Sequence, residues 1–121
     1  MKSLAIACNL VLAGVIFWLG LSPLPPNEIP LPSNDKVGHA LAFFAVGVAH
    51  YWLYFTLRSE PRGAGKARLG AGLATFTATG LGGALELLQM LVPSRQAEFG
   101  DLVADFIGAA VGAALMYLFV R

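Results

Sequence analysis

Apolar residues along this chain gather into four long blocks separated by short polar ones. The blocks read SLAIACNLVLAGVIFWLGL (3–21), VGHALAFFAVGVAHYWLYFTL (37–57), LGAGLATFTATGLGGALELLQMLV (69–92) and LVADFIGAAVGAALMYLFV (102–120). Each is close to the ~20 residues that cross the hydrocarbon core of a bilayer. Lipid offers no partners to open backbone groups, so each block is expected to be a helix. The pattern predicts an all-α fold in a single domain, 1–121, a membrane-embedded bundle of four transmembrane helices.

The connections are short. SPLPPNEIPLPSNDK (22–36) is rich in proline and is expected to be extended and stiff. RSEPRGAGKAR (58–68) is basic, and PSRQAEFGD (93–101) reads as a compact polar turn. Lys2 before the first block resembles the start of a signal peptide. The apolar run is long for that and no A-x-A site closes it, so a retained helix is expected.

Composition agrees with the pattern. Apolar residues make up 57% of the chain and charged residues 12%, against about 25% charged in soluble proteins. A net charge of +1 makes no electrostatic case for nucleic acid. Cys8 is the only cysteine, which excludes an internal disulfide or a multi-cysteine metal site.

The basic residues set an orientation. With both termini cytoplasmic, Lys2, Arg58, Arg62, Lys66, Arg68 and Arg121 lie inside, and only Lys36 and Arg95 outside. That arrangement follows the positive-inside rule. The acids are distributed in reverse: Glu60 is inside, Glu28, Asp35, Glu98 and Asp101 are outside, and Glu86 and Asp105 lie near the outer ends of their helices. Polar chemistry is therefore expected at the extracytoplasmic face.

Three short motifs carry that chemistry. DKVGH (35–39) opens the second block, with Asp35 placed to N-cap a helix and His39 a turn further in. His39, Phe43, Val46 and His50 share one helical face, and His50 lies near mid-membrane, where an interhelical hydrogen bond is its plainest use. In ELLQ (86–89), Glu86 and Gln89 point the same way. Gly83, Thr79, Thr75 and Gly72 extend their face into a small and polar stripe expected to face the bundle. A glutamate inside a membrane helix is a functional candidate by default. In the last block Asp101, Asp105, Gly108 and Gly112 share a face. Gly108–Gly112 is a G-x-x-x-G pattern that lets backbones approach, between helices of one chain or between copies in a homo-oligomer. Asp101 can serve as an N-cap. Asp105 is a turn deeper and needs a partner, a proton or a cation. Arg95 can hold a carboxylate or an anionic substrate group with its guanidinium.

At these residues the chain resembles the VanZ-like family of small membrane proteins, named for a protein linked to resistance to the glycopeptide teicoplanin. The family pattern has Asp-Lys-x-x-His opening one helix and Glu-x-x-Gln ending a later one. An Arg follows, often a Ser, then an Asp, and an Asn shortly before a Gly. Here these are DKVGH (35–39), ELLQ (86–89) and RQAEFGDLVADFIG (95–108), running in order over about Asp35 to Gly112. Glu98 stands where Ser is common and Asp105 where Asn is typical, which favours an acid–base or cation-binding role. The resemblance implies a multi-pass protein of the bacterial plasma (inner) membrane with an envelope-related task and an effect on glycopeptide susceptibility.

The expected site is an outer-face cavity. His39, Glu86 and Asp105 are the acid–base candidates, and Asp35, Lys36, Gln89, Arg95 and Asp101 the substrate-binding ones. One reading is a protein that binds or handles an envelope lipid, with Arg95 and Lys36 holding an anionic or lipid-linked precursor. A second is a membrane enzyme using His39 with Glu86 or Asp105. A third is a small proton-coupled transporter working through Glu86 or His50, although few polar residues lie near the inner ends. A purely structural cluster is the fourth. No cofactor is specified, and a metal is left open.

Overall fold

The computed structural model describes residues 1–23, 32–58 and 63–120. It contains α1 (Lys2–Leu21), α2 (Pro32–Leu57), α3 (Ala64–Gln89) and α4 (Phe99–Val120). All four are long and apolar enough to cross a membrane. Large apolar side chains remain exposed on every helix, among them Leu10 and Trp18 on α1, Leu41 on α2, Phe76 and Leu87 on α3 and Phe119 on α4. Such an apolar exterior suits lipid as the surrounding solvent.

The boundaries differ from the hydropathy blocks in one consistent way: every helix begins earlier, and α2, α3 and α4 begin well inside the preceding connection. α2 starts at Pro32, so 32–36 is helical where an extended segment was expected. Proline is compatible with a first helical position because the N–H it lacks has no intrahelical partner there. Asp35 accordingly lies in the first turn and not at the cap, where it still opposes the positive end of the helix dipole. Asp101 likewise sits within the first turn of α4. α3 begins at Ala64 and ends at Gln89. The extended reading of 24–31, and the placements of Glu28, Glu60, Arg62 and Arg121, lie outside the described residues.

α2 and α4 run parallel and pack backbone to backbone. A Cβ on Gly108 would strike the Ala40 carbonyl, one on Gly112 the Phe44 carbonyl, and one on Gly47 the Ala109 carbonyl. Only glycine permits that approach. The G-x-x-x-G face is therefore filled by α2 of the same chain. A core of Ile16, Phe43, Val46, Ala78, Leu85 and Ala109 joins all four helices. A second cluster, Tyr51, Ala74 and Ala113, continues it towards the other end.

α3 is rotated relative to the expected stripe. Its buried positions are Gly70, Ala74, Ala78, Gly82, Leu85, Glu86 and Gln89, while Gly72 is exposed and Thr75 and Thr79 are half-buried. The threonine hydroxyls donate to their own helix, Thr75 to the Ala71 carbonyl and Thr79 to the Thr75 carbonyl. They need nothing from the bundle, so small residues take the packed face instead.

Candidate functional site

The first turns of α2 and α4 and the last turns of α1 and α3 meet at one end of the bundle. Two separate polar assemblies form there. The first joins α2, α3 and α4. Asp105 is fully buried, and its Oδ1 lies 2.8 Å from Nδ1 of His39. The other ring nitrogen, Nε2, faces Asp101 Oδ2 at 4.0 Å. Asp101 is itself buried and accepts from Lys36 Nζ at 3.1 Å, and the same ammonium reaches Glu98 Oε2 at 2.8 Å. Gly100 leaves room for the Lys36 stem, since a Cβ there would meet its Cε. Glu86 is 7% exposed, and its Oε2 accepts from the backbone N–H of Glu98 at 3.0 Å.

His39, Glu86 and Asp105 each offer a ligand atom within 4.8 Å of the others, as do Asp35, His39 and Asp101. Among the described residues, the buried side-chain polar atoms without a hydrogen-bond partner are Asn9 Oδ1, Tyr54 OH, Glu86 Oε1 and Asp105 Oδ2. Two of these belong to this one cluster. Buried acceptors left open are costly, so each asks for a ligand, a proton or a cation. Asp105 Oδ2 lies against Gly82, where any side chain would collide with it.

The second assembly takes two of the expected binding residues away from the acids. Arg95 donates from Nε and Nη2 to the Ser22 carbonyl at 3.1 and 3.0 Å, and from Nη2 to the Leu19 carbonyl at 3.1 Å. Gln89 donates to the Gly20 carbonyl at 2.9 Å. Together they close the C-terminal end of α1, whose last carbonyls have no intrahelical donors. Arg95 was expected among the acids; the structure gives it a helix end to hold. Lys36 is engaged by Glu98 and Asp101. His50 meets the Thr77 hydroxyl across α2 and α3 at 3.2 Å, the interhelical bond anticipated for it.

Three contributors escaped the motif reading. Glu98 orients Glu86 through its backbone, which no side-chain pattern can signal. Gly82 makes room for Asp105; its place one turn before Glu86 is the signal that was available. Asn9 bonds the Ala49 carbonyl at 3.0 Å and ties α1 to α2, and a lone amide in an apolar helix could have marked it.

Beside Glu86 lies a cavity of about 350 Å³, lined by Gly83, Glu86, Leu87, Ala97, Glu98, Phe99 and Leu102. Leu87 and Phe99 are largely exposed at its edge. It is an apolar cleft between the ends of α3 and α4 with a buried carboxylate against it.

These features define a multi-pass membrane protein whose buried acids, with His39, are gathered at one end of a glycine-packed helical bundle. The chain belongs to the VanZ/LLP1 family, whose model matches residues 6–120. It is also similar to the uncharacterized protein C11E3.10 of Schizosaccharomyces pombe (strain 972 / ATCC 24843), 28% identical over 116 residues. That alignment covers 94% of this chain and 63% of the relative's length. No solved structure matches.

Proposed function

We propose that this protein binds a membrane lipid, seating its acyl region in the cleft between α3 and α4 and its head group against Glu86. The carrying observation is the cavity itself: about 350 Å³, walled by Leu87, Phe99 and Leu102, and meeting a buried carboxylate. That volume is within the range of small-molecule sites. Because Lys36 and Arg95 already have partners, the polar side-chain group at the cleft left to a ligand is an acceptor, Glu86 Oε1. The favoured head group therefore carries hydroxyl or amine donors. An effect on teicoplanin susceptibility would act through that lipid, since the cleft is far smaller than a glycopeptide. The test is mass spectrometry of lipid that co-purifies in mild detergent. One lipid class enriched over the bulk membrane supports the reading, and a bulk-like profile overturns it.

A second reading rests on the 2.8 Å contact of His39 with buried Asp105. A carboxylate that orients an imidazole is the arrangement of a general base and its positioning group. Incubating the purified protein with the enriched lipid separates the two readings. An altered lipid mass indicates an enzyme, and unchanged lipid indicates binding alone.

The orientation belongs to the same proposal. The described cations away from the site, Lys2, Arg58, Lys66 and Arg68, lie at or near the opposite helix ends, which would place them in the cytoplasm and the cleft at the extracytoplasmic face. In a Cys8→Ala background, Gln96→Cys is expected to react with an impermeant thiol reagent on intact cells, and Gly63→Cys only after permeabilisation. The reverse pattern would invert the protein in the membrane.

A further inference from the structure

We propose that His39, Glu86 and Asp105 form a binding site for one divalent transition-series cation, Zn²⁺ or Mn²⁺. Charge and geometry carry this site independently of any bound lipid. Two carboxylates from α3 and α4 and an imidazole from α2 bring their donor atoms within 4.8 Å of one another. Donor atoms on a common ion with bonds of about 2.1 Å are spaced roughly 3–4 Å apart. The His39 Nδ1 to Asp105 Oδ1 spacing of 2.8 Å is already close to that range, so closing the site requires a small movement of Glu86.

The independent sign of a ligand site is the pair of unpartnered oxygens. Glu86 is 7% exposed and Asp105 0%, yet Glu86 Oε1 and Asp105 Oδ2 accept from nothing. The nearest ammonium, Lys36, is held by Glu98 and Asp101. A divalent ion balances the two carboxylates, leaving no net charge where both are buried. A ligand set of one nitrogen and two oxygens suits Zn²⁺ or Mn²⁺ better than Mg²⁺ or Ca²⁺, which prefer oxygen alone.

The surroundings fit the same assignment. With Nδ1 on the ion, Nε2 of His39 is left facing Asp101 at 4.0 Å. A carboxylate on the far side of a ligating imidazole is a recurrent outer-shell arrangement that fixes the ring. Gly82 keeps the α3 side of Asp105 clear. The cleft beside Glu86 provides an approach for the ion and space for a further ligand, either water or an oxygen of a bound molecule.

The experiment uses the full chain in detergent, stripped with a chelator and dialysed, then titrated separately with ZnCl₂, MnCl₂ and MgCl₂. Bound metal is measured by equilibrium dialysis and elemental analysis, and the unfolding temperature is followed in parallel. The expected result is one Zn²⁺ or Mn²⁺ per chain, weaker Mg²⁺ binding and a metal-dependent rise in unfolding temperature. His39→Gln and Glu86→Gln should each weaken binding at least about tenfold, the lower end of what losing even an outer-shell partner costs. Either variant suffices should the other fail to fold, and the stoichiometry of the parent stands without them. Absence of saturable Zn²⁺ and Mn²⁺ binding by the parent overturns the proposal, because the carboxylates must then be balanced by protons. Binding that is unchanged in a folded variant also overturns it, by placing the ion elsewhere.

Discussion

Asp105→Ala is expected to destabilise the bundle by about 3–5 kcal/mol, the range found when one partner of a buried pair is removed. The aspartate is fully buried, and its loss strands His39 Nδ1 with no acceptor at 2.8 Å. It also empties the space that Gly82 keeps for the carboxylate. Asp105→Asn should behave differently. The amide oxygen can still accept from the imidazole N–H, and the shape hardly changes, so a loss of no more than about 1.5 kcal/mol is expected, that of one ordinary hydrogen bond. Denaturant unfolding in detergent compares the two directly. An Asp105→Ala protein as stable as its parent would show that the pair does not hold α2 to α4.

Glu86→Gln is the change expected to remove function while sparing the fold. The amide oxygen can continue to accept from the Glu98 N–H, as Oε2 does at 3.0 Å. The amide nitrogen then stands where the free acceptor Oε1 was, presenting a donor to a donor. Hydrogen bonds to charged groups contribute about 1.5–3 kcal/mol, so lipid retention should fall roughly 10- to 150-fold. In chelator-stripped protein the unfolding midpoint should stay close to that of the parent. Lipid mass spectrometry and thermal unfolding on the same preparation check both halves. Full lipid occupancy in Glu86→Gln removes this carboxylate from the site. Loss of the lipid together with the fold makes Glu86 a structural residue.

How much of this was legible in the chain varies from residue to residue. Asp101, Asp105, Gly108 and Gly112 were readable as one packed face, because helical periodicity alone aligns positions three and four apart, and all of them are buried. His39, Glu86 and Asp105 stood out because an ionisable group in an apolar block is expensive unless something meets it. The Thr75–Thr79 face of α3 misled. Hydroxyls look polar in a sequence, yet a helix can satisfy them with its own carbonyls, and periodicity cannot tell which outcome occurs.

The four apolar blocks, their helical state and the gathering of acids near common helix ends followed from the sequence by itself, since bilayer thickness and backbone hydrogen bonding leave few alternatives. The partners of those acids and bases did not. Arg95 reaches Leu19 and Ser22, Gln89 reaches Gly20, and Lys36 reaches Glu98 and Asp101, all across more than 60 positions of sequence. Such pairings depend on how far each helix is rotated about its axis and how closely its neighbours approach. The glycine contacts of α4 with α2 and the small-residue face of α3 decide those quantities. The tertiary structure thereby gave Arg95 to the end of α1 and left Glu86, His39 and Asp105 together around open acceptors.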